Sequence, residues 1–286
     1  IKTTEAKIQK FVEQKFIGER AMFSAKDAEF ERCGFAAGES PLKHGQNLRL
    51  KNCTFEWKYP LWYTKNVAVK DGFLMQMARA GIWYAQEVSF KDTLIQAPKS
   101  FRRCQNVRLE NVNLTQAEET LWSCADAEIK NVCARGDYFA MNCENVRVYG
   151  LNLDGNYGFD GCKNLLVEDS KLLSKDAFWN CENVTVRNSF ISGEYLAWNS
   201  KNVTFENCVI ESLQGLCYVQ NLVLRGCQTL DTTLAFEYSS VDVEILGGIA
   251  SVKNPLSGVI RAKEIGEIIM DEECVDLAAT RIILEK

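Results

Sequence analysis

The chain of 286 residues carries only four prolines and one histidine. So few prolines leave no Pro-rich linker to divide it, and one domain over residues 1–286 is the simplest expectation. A lone histidine deprives Ser-His-Asp and Cys-His chemistry of a base unless His44 itself serves. His44 lies in GESPLKHG with no clear nucleophile beside it, and reads as a surface turn residue. There is no run of 18 or more apolar residues, so no membrane-spanning helix is expected. The opening IKTTEAKIQKFVEQ lacks the apolar stretch of a signal peptide. Net charge is −5, which disfavours a nucleic-acid groove, because such grooves need clustered Lys and Arg. No Gly-rich phosphate loop, dinucleotide fingerprint, HExxH or CxxC pair occurs. Neither cofactor nor metal is expected.

What the sequence does contain is a repeat. WNCENVTV at Trp179 returns as WNSKNVTF at Trp198. Asn47, Asn66, Asn106, Asn145, Asn164, Asn183, Asn202 and Asn221 each open an Asn-Val or Asn-Leu unit. Asp27, Glu87, Asp126 and Asp242 fill the same slot, at intervals of 19 to 21 residues. After each anchor the apolar residues alternate (Val184 and Val186, Val203 and Phe205), the period of a strand with one buried face. Asn188, Asn207 and Gly226 follow, residues that tolerate the left-handed backbone of a sharp bend. Short strands and corners at this period fit an all-β, single-stranded, right-handed parallel β-helix of about twelve coils. Residues 1–26 are the expected N-terminal cap, with Ile8, Phe11, Val12 and Phe16 on one side of a helix or, nearly as well, of a strand. Residues 250–286 are the expected irregular C-terminal cap.

Stacked coils place like residues in columns. Cys104, Cys124, Cys143, Cys162 and Cys181 lie two residues before their anchors and should form an inward ladder continued by Ser200 and Val219. Parallel in-register thiols point the same way rather than at each other, so buried, unpaired cysteines are expected. Unpaired thiols favour the cytoplasm. Four residues before the anchors stand Trp62, Trp83, Arg102, Trp122, Met141, Asp160, Trp179 and Trp198. Strand alternation from the cysteines turns this column inward as a buried stack. Its two charges argue instead for an exposed aromatic platform, and the sequence leaves both readings open. Arg102, between Trp83 and Trp122, is expected in a cation–π sandwich.

Seven and eight residues before the anchors are Asp137 and Tyr138, Asn156 and Tyr157, Lys175 and Asp176, and Glu194 and Tyr195. Neighbouring coils bring these within roughly 5–10 Å of each other. That separation suits paired carboxylates in acid–base work, though a solvated face would look the same. Lys99, Arg102 and Arg103 in APKSFRR form the densest basic spot, able to hold an anion or to be balanced by Glu118 and Glu119.

The phrases ERAMF, GESPLK, YPLWY, RAGIWY, APKSFRR, ETLW, GNYGFD, KDAFWN, GEYLAWNS and SVKNP, in this order, resemble an uncharacterised bacterial family. It is a domain of unknown function with a right-handed parallel β-helix similar to pectin lyases. The resemblance implies that fold and, through its wider relatives in fold, a carbohydrate ligand. The Asn-Thr-Asp, Asp-Asp and Gly-His-Gly of polygalacturonases and the RxPxxR of pectate lyases are absent here, so their catalytic roles do not carry over. The leading expectation is a carbohydrate or other polar, elongated ligand along one face. Tyr138, Tyr157 and Tyr195 would stack against it. Asp137, Asp176 and Glu194 would accept its hydrogen bonds, Lys99 and Arg103 would neutralise an acidic group, and Arg102 and Asp160 are further ligand-binding candidates. The rival is a non-catalytic scaffold whose coils meet a partner or another copy of the chain.

Overall fold

The computed structural model describes residues 8–285, in two compact units, one ending at Gly136 and the other starting at Asp137. In the first, seven strands form one parallel ladder: Gln9–Val12, Lys26–Glu31, Gln46–Lys51, Lys65–Lys70, Gln86–Ile95, Gln105–Leu114 and Ala125–Arg135. A second ladder joins Lys15–Ile17, Gly34–Ala36, Thr54–Phe55 and Phe73–Leu74 to the end of Gln86–Ile95. In the second unit, eight strands do the same: Glu144–Asp154, Lys163–Glu168, Glu182–Arg187, Lys201–Glu206, Gln220–Thr233, Ser240–Ile245, Ser257–Ala262 and Thr280–Leu284. Each unit is a parallel β-solenoid, and among the described residues every regular element is a strand.

Seven and eight coils exceed the twelve expected. The surplus lies at the ends, where pairing continues without the Asn signature. Residues 9–17 form two strands rather than a helix, with Phe11 stacked on Phe30 at 5.0 Å and Phe16 on Phe35 at 5.1 Å. Residues 1–7 of the expected cap lie outside the described residues. At the other end Ser257–Ala262 and Thr280–Leu284 keep the ladder's register. One anchor is reassigned. Val223 pairs with Asp242, which puts Ser240 and not Asp242 in the anchor column, and the Ser240 hydroxyl accepts the Asn221 N–H at 2.7 Å.

The remaining anchors, Asp27 to Asn221, all have φ between +49° and +64°. Asn and Asp reach this left-handed region at least cost. The segment before each anchor also alternates in φ. Tyr157, Phe159 and Gly161 are positive, as are Asp176, Phe178 and Asn180. The N–H groups here bond alternately to the next coil and the previous one: Tyr157 to the Lys175 carbonyl (2.8 Å), Phe159 to Phe139 (2.8 Å), Gly161 to Trp179 (2.7 Å). This backbone is not a β-strand, and strand parity fails in it. Phe159, Phe178 and the cysteines three residues further on are all buried, so inward positions here lie three apart.

Ten of the twelve thiols are buried, all but Cys133 and Cys274, and those of the inward ladder are hydrogen-bond donors as well as filler. Cys104 donates to the Ile82 carbonyl at 2.8 Å, Cys162 to Ala140 at 2.9 Å and Cys181 to Phe159 at 3.1 Å. Ser200 takes over the column by donating to Phe178 at 2.6 Å, which explains a hydroxyl at a core position. All described cysteines are free.

Candidate functional site

The φ alternation decides how the tryptophans sit. With the residue before them buried, Trp62, Trp83, Trp179 and Trp198 lie half-buried along the outside of the coils. They are neither core nor open platform. Trp62 stacks on Trp83 at 5.0 Å and Trp179 on Trp198 at 5.6 Å, so the ring faces cover each other. Their indole N–H groups donate to the carbonyls of Ala80, Lys99, Tyr195 and Gln214, at 2.5, 2.7, 2.6 and 2.8 Å. Arg102 stands between Trp83 and Trp122, its guanidinium 4.5 and 5.0 Å from the ring centres, as the sequence suggested.

The basic spot is balanced internally. Glu119 binds Arg102 at 2.9 Å and Lys99 at 3.2 Å, leaving the exposed Arg103 outside the pair. His44 is exposed and stacks on Tyr63 at 5.0 Å.

In the second unit the structure gathers most of the acidic and tyrosyl candidates into one strip. Tyr138 and Tyr157 stack at 4.7 Å. The next residue of that column is Asp176, followed by Tyr195, so a carboxylate interrupts a tyrosine ladder. Asp137 accepts the Asn156 N–H at 2.8 Å, and the Asn156 side chain accepts the Lys175 N–H at 3.2 Å. These two therefore hold the coil edges. Lys175 pairs with Glu194 at 3.4 Å and lies 5.6 Å from the Tyr195 ring centre, which occupies Glu194 and one face of Tyr195.

Two carboxylates are left with capacity. Asp160 accepts the Trp179 N–H at 3.2 Å through one oxygen. Burial pushes its pKa from 3.8 to about 7; the Trp179 hydrogen bond works against this and the nearby Asp176 charge adds to it. Asp176 is 5% exposed, and its Oδ1 has no hydrogen-bond partner. Its pKa is also raised, first by burial, with Lys175 lowering it and Glu194 raising it. The sequence put Asp160 and Asp176 in different columns and did not link them. Adjacent coils bring the two into electrostatic contact. Among the described residues no group of His, Cys, Asp or Glu is arranged to hold a metal ion, and no helix is long and apolar enough to cross a membrane.

Comparison with known proteins adds a family. Residues 9–283 match the family described as "Protein of unknown function (DUF3737)". No curated protein matches the sequence. Among solved structures, the chain is similar to PfbA, a surface adhesin of Streptococcus pneumoniae, at 10% identity and TM-score 0.42, over 75% of this chain and 71% of that one. It is also similar to the tailspike protein of E. coli bacteriophage HK620, solved with a pentasaccharide, at 8% identity and TM-score 0.39, over 95% and 70%. A third is the A-module of the Azotobacter vinelandii mannuronan C-5 epimerase AlgE4, at 9% identity and TM-score 0.27, over 98% and 91%.

Proposed function

Because the chain belongs to the DUF3737 family, whose function is unknown, we propose its role from its own side chains: the second unit binds a neutral, polyhydroxylated ligand of the carbohydrate class at Asp160 and Asp176. The observation that carries this reading is the Asp176 Oδ1, buried without a partner. Such an atom costs about 1–3 kcal/mol of desolvation, and a ligand hydroxyl donated to it would recover that. Asp160, titrating at about 7, can donate or accept a hydrogen bond at neutral pH, which suits a hydroxyl that does both. Tyr157 and Tyr195, on either side of Asp176 in their column, border the same spot. If turnover accompanies binding, Asp160 is the group with a proton to give near pH 7.

A saccharide array followed by calorimetry tests this. Binding should fall at least about tenfold, some 1.4 kcal/mol, in Asp176→Ala and in Tyr157→Ala. An array with no hits, or equal affinity in both variants, would refute it.

The scaffold reading is favoured by the tryptophan ladder. Rings whose faces cover one another and whose N–H groups are bound to the backbone have little left to offer a ligand. It expects poor access of an aqueous quencher to tryptophan and no saccharide binding.

A further inference from the structure

The anchor column contains one residue out of type. From Asp27 to Asn221 every anchor is Asn or Asp except Glu87, which also adopts φ +55°. A longer side chain in the left-handed region gains nothing locally, because the anchors before it are joined through short side chains. Asn47 donates to Asp27 at 2.8 Å and Asn66 to Asn47 at 2.9 Å. At Glu87 that chain of amides stops.

A groove of about 480 Å³ opens at the break. The register Arg49, Ala68, Ser89, Arg108 runs along its floor, so two small residues separate two arginines. Glu87 and Asn106 form one wall. Arg49 is held at its end by Nη1, which donates to the Leu48 carbonyl at 3.0 Å and to the Asn66 carbonyl and side-chain oxygen at 3.4 Å. Among the described residues the side chains of Arg108, Asn106, Ser89 and Glu87 have neither ion pair nor hydrogen bond. Two guanidinium groups, an amide, a hydroxyl and a carboxylate thus line one groove with most of their hydrogen-bonding capacity unused.

We infer that this groove binds a small dicarboxylate bearing hydroxyl groups between its two carboxylates. An arginine fork at each end matches a carboxylate. Glu87 accepts from a hydroxyl in the middle, and Asn106 and Ser89 complete the polar lining. Three coil rises separate the arginine backbones by about 14 Å. Two partly extended arginine side chains leave room there for a chain of about six carbons. Glu87 excludes a third negative charge at the centre. No residue is shared with the carbohydrate reading of the second unit, so either can fail alone.

The test is calorimetric titration of the full chain with three probes: glucarate, gluconate (one carboxylate) and adipate (no hydroxyls). Glucarate should bind saturably, and gluconate and adipate each at least about tenfold more weakly. Arg108→Ala should weaken glucarate at least tenfold. Ala68→Leu, which fills the floor at an outward strand position and leaves the core untouched, should abolish binding while the melting transition stays cooperative. The inference is overturned if glucarate does not saturate by about 10 mM, if adipate or gluconate binds equally well, or if either variant binds glucarate like the parent.

Discussion

In the unit that starts at Asp137, five asparagines pass a hydrogen bond from coil to coil. Asn164 donates to Asn145 at 3.0 Å, and Asn183 to Asn164, Asn202 to Asn183 and Asn221 to Asn202 at 2.9 Å each. In the unit that ends at Gly136, the same column runs from Asp27 to Asn66 and then meets Glu87. The aromatic columns differ in a parallel way. Arg102 interrupts the tryptophans of the first unit and is compensated by two rings and Glu119, with its Nε alone left without a hydrogen bond. Asp160 stands ahead of those of the second unit, between Met141 and Trp179, and beside it Asp176 keeps an unpartnered oxygen. An unbroken or compensated column needs no explanation beyond stability. A break that leaves polar groups unpaired does.

That distinction can be broken by mutation. The largest effect should come from Asn183→Ala in the continuous ladder. It removes one bond donated and one accepted, and places alanine in the left-handed region; the loss should be about 3 kcal/mol, read from the urea midpoint. Asp160→Asn comes next and depends on pH. The unfolded chain releases this proton near 3.8 and the folded chain near 7. Between these values the folded state binds more protons, so this group's contribution to stability falls as pH rises and levels off above 7. A shift of that size corresponds to at most ~4 kcal/mol, less for a side chain that is partly exposed. Asp160→Asn should therefore be more stable than the parent at pH 8 by about 2 kcal/mol and show no gain at pH 3. Arg102→Met should cost about 1 kcal/mol, since it removes the sandwich and leaves the half-exposed Glu119 with Lys99 as its cationic partner. The smallest change is Glu87→Asn, which should stabilise by about 0.5–1 kcal/mol by restoring the residue type its backbone prefers.

Much of this architecture was legible because a β-solenoid writes its register into its sequence. The anchors, the inward cysteines and the Arg102 sandwich follow from counting residues. The facing of the tryptophans did not, because counting assumed strand parity and the backbone from Tyr157 to Gly161 alternates in φ instead. The end coils were missed because Ser257–Ala262 and Thr280–Leu284 pair through main-chain groups and need no asparagine. Asp242 was misplaced for a related reason: its residue type fits the anchor pattern, while Ser240, 19 residues after Asn221 as in the preceding coils, supplies the anchor's hydrogen bond. The Asp160–Asp176 pair required knowing how far two columns stand apart across adjacent coils. The sole Glu among the anchors was visible from the start, but its meaning appears only with Arg49 and Arg108 at either end of Ala68 and Ser89.

The most direct test of the central claim, that unbroken columns hold the fold while broken ones are kept for a ligand, is urea unfolding of Glu87→Asn beside Asn183→Ala without ligand. The account predicts a midpoint above the parent for the first and well below it for the second. A Glu87→Asn variant destabilised as much as Asn183→Ala would show that Glu87 is itself part of the scaffold, and would contradict it.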